Sequence, residues 1–187
     1  MTLANAQTLI GGGLRLVIRE DGSLHALDIA SSRQSLVVAR PAGYPLWRLW
    51  LRDATGGERV VAAVEAQRTN ISPQGQTLHL TWEELPIAPE LQVKATITAE
   101  TDALYWHLTV NGLPPETSLW RVDFPILPSI TLPAGSGEAQ WLMPRAGGYV
   151  VRDPDRAILQ NNAIGRQVVL THPGSMTMQF LAYYREG

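Results

Sequence analysis

Apolar and polar residues alternate with a period of two along most of this chain, and that pattern constrains its fold more than any other feature. The longest uninterrupted case covers residues 91–100, where every odd-numbered residue is apolar and every even-numbered residue is polar. Successive side chains of a β-strand point to opposite faces of a sheet, so this spacing predicts a strand with one buried face. No convincing helical period competes with it, and the chain is therefore predicted to be all-β.

The alternating segments, roughly ten to twelve in number, are separated by turn signals rich in glycine, proline and asparagine. Residues 14–29 predict a β-hairpin because Asp21-Gly22, a preferred hairpin turn, separates two alternating runs. Many short strands at this spacing are typical of an antiparallel β-sandwich or a barrel. A helix over 155–163 is an alternative, but its Gln-Asn-Asn content favours a loop. The other predicted strands cover 45–53, 60–68, 77–83, 91–100, 104–110, 120–124, 141–143, 149–152, 168–171 and 176–184.

Length and charge limit the classes of protein to which this chain can belong. The chain has 187 residues and no linker that would divide it, so a single domain over 1–187 is predicted. Charged residues make up 17% of the chain and the net charge is −2. The sequence therefore shows no excess of basic residues of the kind that binds nucleic acid. No apolar run is long enough to span a membrane. Residues 1–12 lack the features of a secretory signal, so cytoplasm is the default location.

The residues predict no catalytic constellation, metal site or cofactor. The absence of cysteine excludes thiol catalysis and cysteine-based zinc sites. The four histidines have no metal-ligand spacing, and neither a phosphate-binding glycine loop nor a serine-hydrolase elbow is present. The chain alone is thus expected not to be an enzyme.

Five of the six tryptophans divide into a predicted core set of four and one predicted surface residue. Trp50 differs from the others because its face of the strand also carries Arg48 and Arg52. An exposed Arg-Trp-Arg stripe suits a sugar platform, a cation–π stack that covers a sheet, or a seam to another domain, of which the seam is favoured over the sugar platform. Four tryptophans share a face with aliphatic or aromatic residues and are predicted to be core: Trp47, Trp82, Trp106 and Trp120.

Two further polar pairs lie on predicted strands. Tyr105 and His107 share the polar face of their strand, where they suit either carbohydrate contact or simple surface, and simple surface is favoured. Arg121 and Asp123 are spaced two residues apart, so they are expected to pair along one face.

Several short segments, taken in order, resemble the N-terminal β-sandwich of a group of bacterial glycoside-hydrolase-like proteins. That sandwich has the galactose-mutarotase-like topology and normally precedes a catalytic (β/α)8 barrel. The likeness covers nearly the whole chain, although His172 stands where the family usually has tyrosine. The segments are Arg-Glu-Asp-Gly-Ser-Leu at 19–24, Tyr-Pro-Leu-Trp-Arg-Leu at 44–49, the strand 106–111, Val-Asp-Phe-Pro at 122–125, Met-Pro-Arg-Ala-Gly-Gly at 143–148 and His-Pro-Gly-Ser-Met-Thr-Met-Gln-Phe at 172–180.

The resemblance implies an antiparallel β-sandwich that is the N-terminal part of a longer protein. Without the barrel, the family's catalytic carboxylates are absent. The implied function is therefore that of a non-catalytic module, which packs on the barrel and shapes its carbohydrate site. The loops 144–149 and 172–175 are the implied contacts, with Arg145, Tyr149 and His172 as candidate residues.

Two other functions remain open at this stage. A free-standing carbohydrate-binding module would use Trp50, Tyr105 or both, and the face around Trp50 is also a candidate for self-association. A sugar mutarotase or epimerase would need a histidine acid and a glutamate base on one concave face. No motif identifies such a pair here.

Overall fold

The computed structural model describes residues 6–37, 44–127, 130–132, 138–144, 148–154 and 182–185. Within these ranges the chain forms antiparallel β-sheets, which confirms the all-β prediction. No helix in the described part has the length and apolar character needed to cross a membrane.

The described residues form thirteen strands, most of them close to the predicted bounds. A short 3₁₀ turn at Ala63–Glu65 lies between the fifth and the sixth. The strands are β1 Gln7–Gly11, β2 Leu14–Ile18, β3 Leu24–Ile29, β4 Arg48–Asp53, β5 Glu58–Ala62, β6 Arg68–Gln74, β7 Thr77–Glu83, β8 Gln92–Ala99, β9 Leu104–Asn111, β10 Thr117–Asp123, β11 Ala139–Met143, β12 Tyr149–Arg152 and β13 Ala182–Arg185.

The strands are arranged in four sheets, and the chain divides into two compact units. The unit Met1–Thr131 contains the sheets β1-β2-β3, β10-β4-β5 and β6-β7-β8-β9. The unit Leu132–Gly187 contains the sheet β12-β11-β13. The assignment of a single domain over 1–187 stays a prediction.

Side chains from all three sheets of the first unit share one apolar core. The alternating face of β8 is buried as predicted, with Val93 and Ile97 both 0% exposed. Trp47 and Trp82 are also completely buried, and their rings meet edge to face with centroids 5.7 Å apart. An edge-to-face pair of this kind stabilises the core by about 0.5–1.5 kcal/mol beyond the effect of the area that the two indoles bury.

The β2–β3 hairpin confirms the turn predicted at Asp21-Gly22. The Asp21 carboxylate accepts hydrogen bonds from the backbone N–H of Ser23 at 2.9 Å and from its hydroxyl at 2.5 Å. Gly22 has a φ of +76°, and a Cβ at this position would lie 2.7 Å from Nε1 of Trp82. The glycine therefore lets the turn rest directly on a core indole.

The prediction of one strand over 60–68 was wrong. The segment instead ends β5 at Ala62, forms the 3₁₀ turn and resumes as β6 at Arg68. The Glu65 carboxylate accepts a hydrogen bond from the Ala62 N–H at 2.8 Å, which gives this backbone a local alternative to the sheet. The strand predicted at 168–171 and the alternative helix at 155–163 lie outside the described residues, as does most of the segment 176–184.

Candidate functional site

Strand β4 carries the predicted Arg-Trp-Arg stripe on a single face. Leu49 and Leu51 are 0% and 3% exposed and belong to the core, so Arg48, Trp50 and Arg52 point away from it. These three outward side chains are partly exposed. We call the outward surface of the sheet β10-β4-β5 the tryptophan face; its residues are Arg48, Trp50, Arg52, Glu58, Val60, Ser118, Trp120, Arg121 and Asp123.

The prediction that Trp120 lies in the core was wrong, because a β-bulge turns it outward. In the register of β10 with β4, Leu119 lies opposite Leu51 and Arg121 lies opposite Trp50. Trp120 is the inserted residue between them, so the period of two is interrupted there. Its side chain is 58% exposed. The consecutive apolar pair Leu119-Trp120 within an alternating strand is the sequence signal that could have revealed the bulge.

Arg52 stacks on the ring of Trp120. Its guanidinium carbon lies 3.6 Å from the ring centroid, and the same guanidinium forms an ion pair with Glu58 on β5. The Arg52 side chain is 33% exposed, less than Trp120. One face of the indole is therefore covered by the arginine, while the exposure of the ring requires its other face to be open to solvent.

Arg121 forms a second cation–π stack, in which the arginine covers the tryptophan and is itself exposed. Its guanidinium carbon lies 4.3 Å from the Trp50 ring centroid, and its side chain is 48% exposed above the half-buried indole. The predicted pairing with Asp123 is confirmed: Nε and Nη2 donate to the two carboxylate oxygens at 2.8 and 3.1 Å. These hydrogen bonds raise the pKa of Arg121 above its ordinary value. Trp50 is thus the covered ring of this face and Trp120 the open one.

Tyr105 and His107 lie on another surface, the outward face of β9 in the four-stranded sheet. Both are exposed, as the surface interpretation expected. The Tyr105 hydroxyl lies 3.5 Å from the Asp102 carboxylate, and that charge, with loss of hydration and Glu100, raises the pKa of the phenol. Nδ1 of His107 lies 3.5 Å from the Thr109 hydroxyl. The structure therefore does not join this pair to the tryptophan face.

Tyr149 is the first residue of β12, which is an outer strand of the second unit's sheet among the described residues. Tyr149 and the following Val150 are 54% and 51% exposed. Consecutive residues of a strand point to opposite faces, so both sides of β12 present an apolar group to solvent. The other two loop candidates, Arg145 and His172, lie outside the described residues.

A small cleft in the first unit has a volume of about 120 Å³. Ligand pockets usually enclose about 300–1,000 Å³, so this cleft is too small for a sugar or a nucleotide. It is lined by Asp21, Ser23, Tyr44, Ala63, Val64, Ala66 and Thr69.

Among the described residues, the surroundings of His25 shift the pKa of its imidazole. Burial and the charges of Arg19 and Arg15 lower its pKa, although Asp28 acts in the opposite direction. Its Nδ1 is buried and has no hydrogen-bond partner among the described residues. That part of the chain also contains no group of three histidine, aspartate or glutamate side chains arranged to hold a metal ion.

Comparison of the sequence with models of protein families and with curated proteins finds no match to either.

Proposed function

We propose that this chain is a non-catalytic β-sandwich module of the galactose-mutarotase-like type from a glycoside-hydrolase-like protein. In this proposal it packs on a catalytic (β/α)8 barrel and borders the carbohydrate site of that barrel. The all-β architecture supports it, as does the position of the resembling segments in the fold. The segment 19–24 joins β2 to β3, 44–49 leads into β4, 106–111 lies in β9, and 143–148 joins β11 to β12.

The observation that carries the docking role is the exposure of β12. Tyr149 and Val150 are both more than half exposed, on a strand that forms one edge of its sheet as the described residues define it. Aromatic residues are enriched at the centres of protein interfaces, where they bury a large area against a partner domain. A catalytic domain that covers this edge would remove both groups from water.

The test begins with the reading frame beyond the codon for Gly187, which we expect to continue into a (β/α)8 barrel. The barrel segment would then be expressed separately and its association with residues 1–187 measured by titration calorimetry. Tyr149→Asp is expected to weaken this association about tenfold or more, because it places a charge in the centre of the interface.

Tyr105→Asp is the matched control, since Tyr105 is also a half-exposed tyrosine but lies on the first unit. It should leave the association unchanged. A reading frame without a barrel, or equal effects of the two substitutions, would contradict the docking role.

A further inference from the structure

We propose that the tryptophan face binds a neutral polysaccharide, with a pyranose ring stacked on the open face of Trp120. This proposal goes beyond docking through β12, because the two surfaces belong to different units of the chain and use different residues.

The first argument is the state of the Trp120 ring. The Arg52 guanidinium lies 3.6 Å from the ring centroid and holds one face of the indole, while the side chain as a whole remains 58% exposed. A flat apolar face of this size matches the C–H face of a pyranose. The stack on Arg52, which is itself paired with Glu58, restricts the ring and so reduces the side-chain freedom that is lost on binding.

The second argument is the bulge that places Trp120 outward. An uninterrupted β10 would pair with β4 through Leu119 and Arg121 and would need no residue between them. The inserted residue is instead a large aromatic that the strand turns toward solvent. Bulges commonly re-aim a side chain next to a functional site, and this one adds the open ring to the face.

The third argument is the pairing of both stacked arginines with carboxylates, which favours a neutral ligand over an anion near the rings. Arg52 is paired with Glu58, and Arg121 is paired with Asp123. The same pairs present both hydrogen-bond donors and acceptors, and sugar hydroxyls require both. Arg48, which has no ion pair among the described residues, supplies one further donor.

The composition of the face favours a polysaccharide over another protein domain. Trp120 and Val60 are its exposed apolar side chains, whereas five of its nine residues are charged. Tryptophan and arginine are common in the cores of protein interfaces, whereas glutamate and aspartate are depleted there, so Glu58 and Asp123 are the residues of this surface that fit a protein partner poorly. From Arg48 to Arg52 the face extends about 13 Å along β4 at ~3.3 Å per residue, which exceeds the length of one sugar ring.

The experiment is affinity electrophoresis of the full chain in native gels that contain hydroxyethylcellulose, galactomannan or xylan. We expect retardation by at least one of these neutral polysaccharides. Trp120→Ala should raise the apparent Kd about tenfold or more, and Trp120→Phe, which keeps a smaller ring, should raise it less. Tyr105→Ala is the control, because it removes an exposed aromatic from another sheet and should leave the apparent Kd unchanged.

Thermal melting of each variant shows that it is folded, and Trp120→Phe alone tests the proposal if Trp120→Ala does not fold. Absence of retardation by every neutral polysaccharide overturns the proposal. Retardation by polygalacturonate alone also overturns it, because the arginines would then form an anion site. Sedimentation that shows a wild-type dimer dissociated by Trp120→Ala would make a second copy of the chain the occupant and would likewise overturn it. None of these results bears on Tyr149, so the docking role is tested separately.

Discussion

Gly22 shows how strongly a single residue is constrained by its neighbours. Its positive φ favours glycine on backbone grounds alone, and the indole of Trp82 leaves no space for a Cβ. Two independent requirements, one of backbone conformation and one of packing, therefore meet at this position.

We expect Gly22→Ala to lower the free energy of unfolding by about 2–4 kcal/mol. Backbone strain contributes about 1 kcal/mol of this, and overpacking against Trp82 contributes the rest. Urea denaturation followed by tryptophan fluorescence measures the change. Gly56→Ala is the control, because Gly56 has a φ of +85° but nothing within 4 Å of the added Cβ. Equal losses in the two variants would show that contact with Trp82 contributes nothing.

At the scale of the element, β10 is the strand whose irregularity shapes the molecular surface. Its register with β4 is regular except between Leu119 and Arg121. Because Trp120 is the inserted residue, removing it would leave two strands whose pairing and alternation are continuous. The bulge can therefore be tested by deletion rather than by substitution.

We expect deletion of Trp120 to change the free energy of unfolding by less than about 1 kcal/mol, since the ladder closes without shifting any buried side chain. Chemical denaturation of the deletion variant measures this. Deletion of Leu108 from the regular strand β9 should instead prevent cooperative folding, because it moves every following side chain to the other face. A severe loss of stability on deletion of Trp120 would mean that the exposed ring holds the sheet together.

The contrast between regular strands and a bulged strand explains which features of the fold and the candidate site could be predicted from the sequence. β8 was predicted within a residue at each end, because its alternation is uninterrupted and one side packs in a large core. The stripe Arg48, Trp50 and Arg52 was placed on one outward face for the same reason. Trp120 was misplaced because a bulge depends on the register with a neighbouring strand, which local alternation does not contain. Glu58, the partner of Arg52, was missed because its role depends on the pairing of β5 with β4.

At the scale of the whole molecule, the apolar core that the described residues form lies in the first unit. All fully buried members of this core fall between Leu9 and Ala99, and partly buried side chains up to Leu127 pack against them. The unit Met1–Thr131 therefore contains an apolar core of its own among the described residues.

We expect a fragment of residues 1–131 to unfold cooperatively in urea, with the tryptophan fluorescence of a protein that retains its buried Trp47 and Trp82. A fragment of residues 1–90 is the control, and it should fail to fold because it lacks β8 and the core residues of that strand. A disordered 1–131 fragment would favour the single domain predicted over 1–187.

The pairing of charges on the tryptophan face has a consequence for where such a surface can operate. Raising the ionic strength from 0.01 M to 1 M shortens the Debye length from about 30 Å to about 3 Å, which weakens the capture of charged ligands. Each stacked guanidinium here already has its own carboxylate, and an uncharged sugar chain brings no counterions to displace. The affinity of this face for a neutral polysaccharide is therefore expected to be the same at low and at high salt concentration.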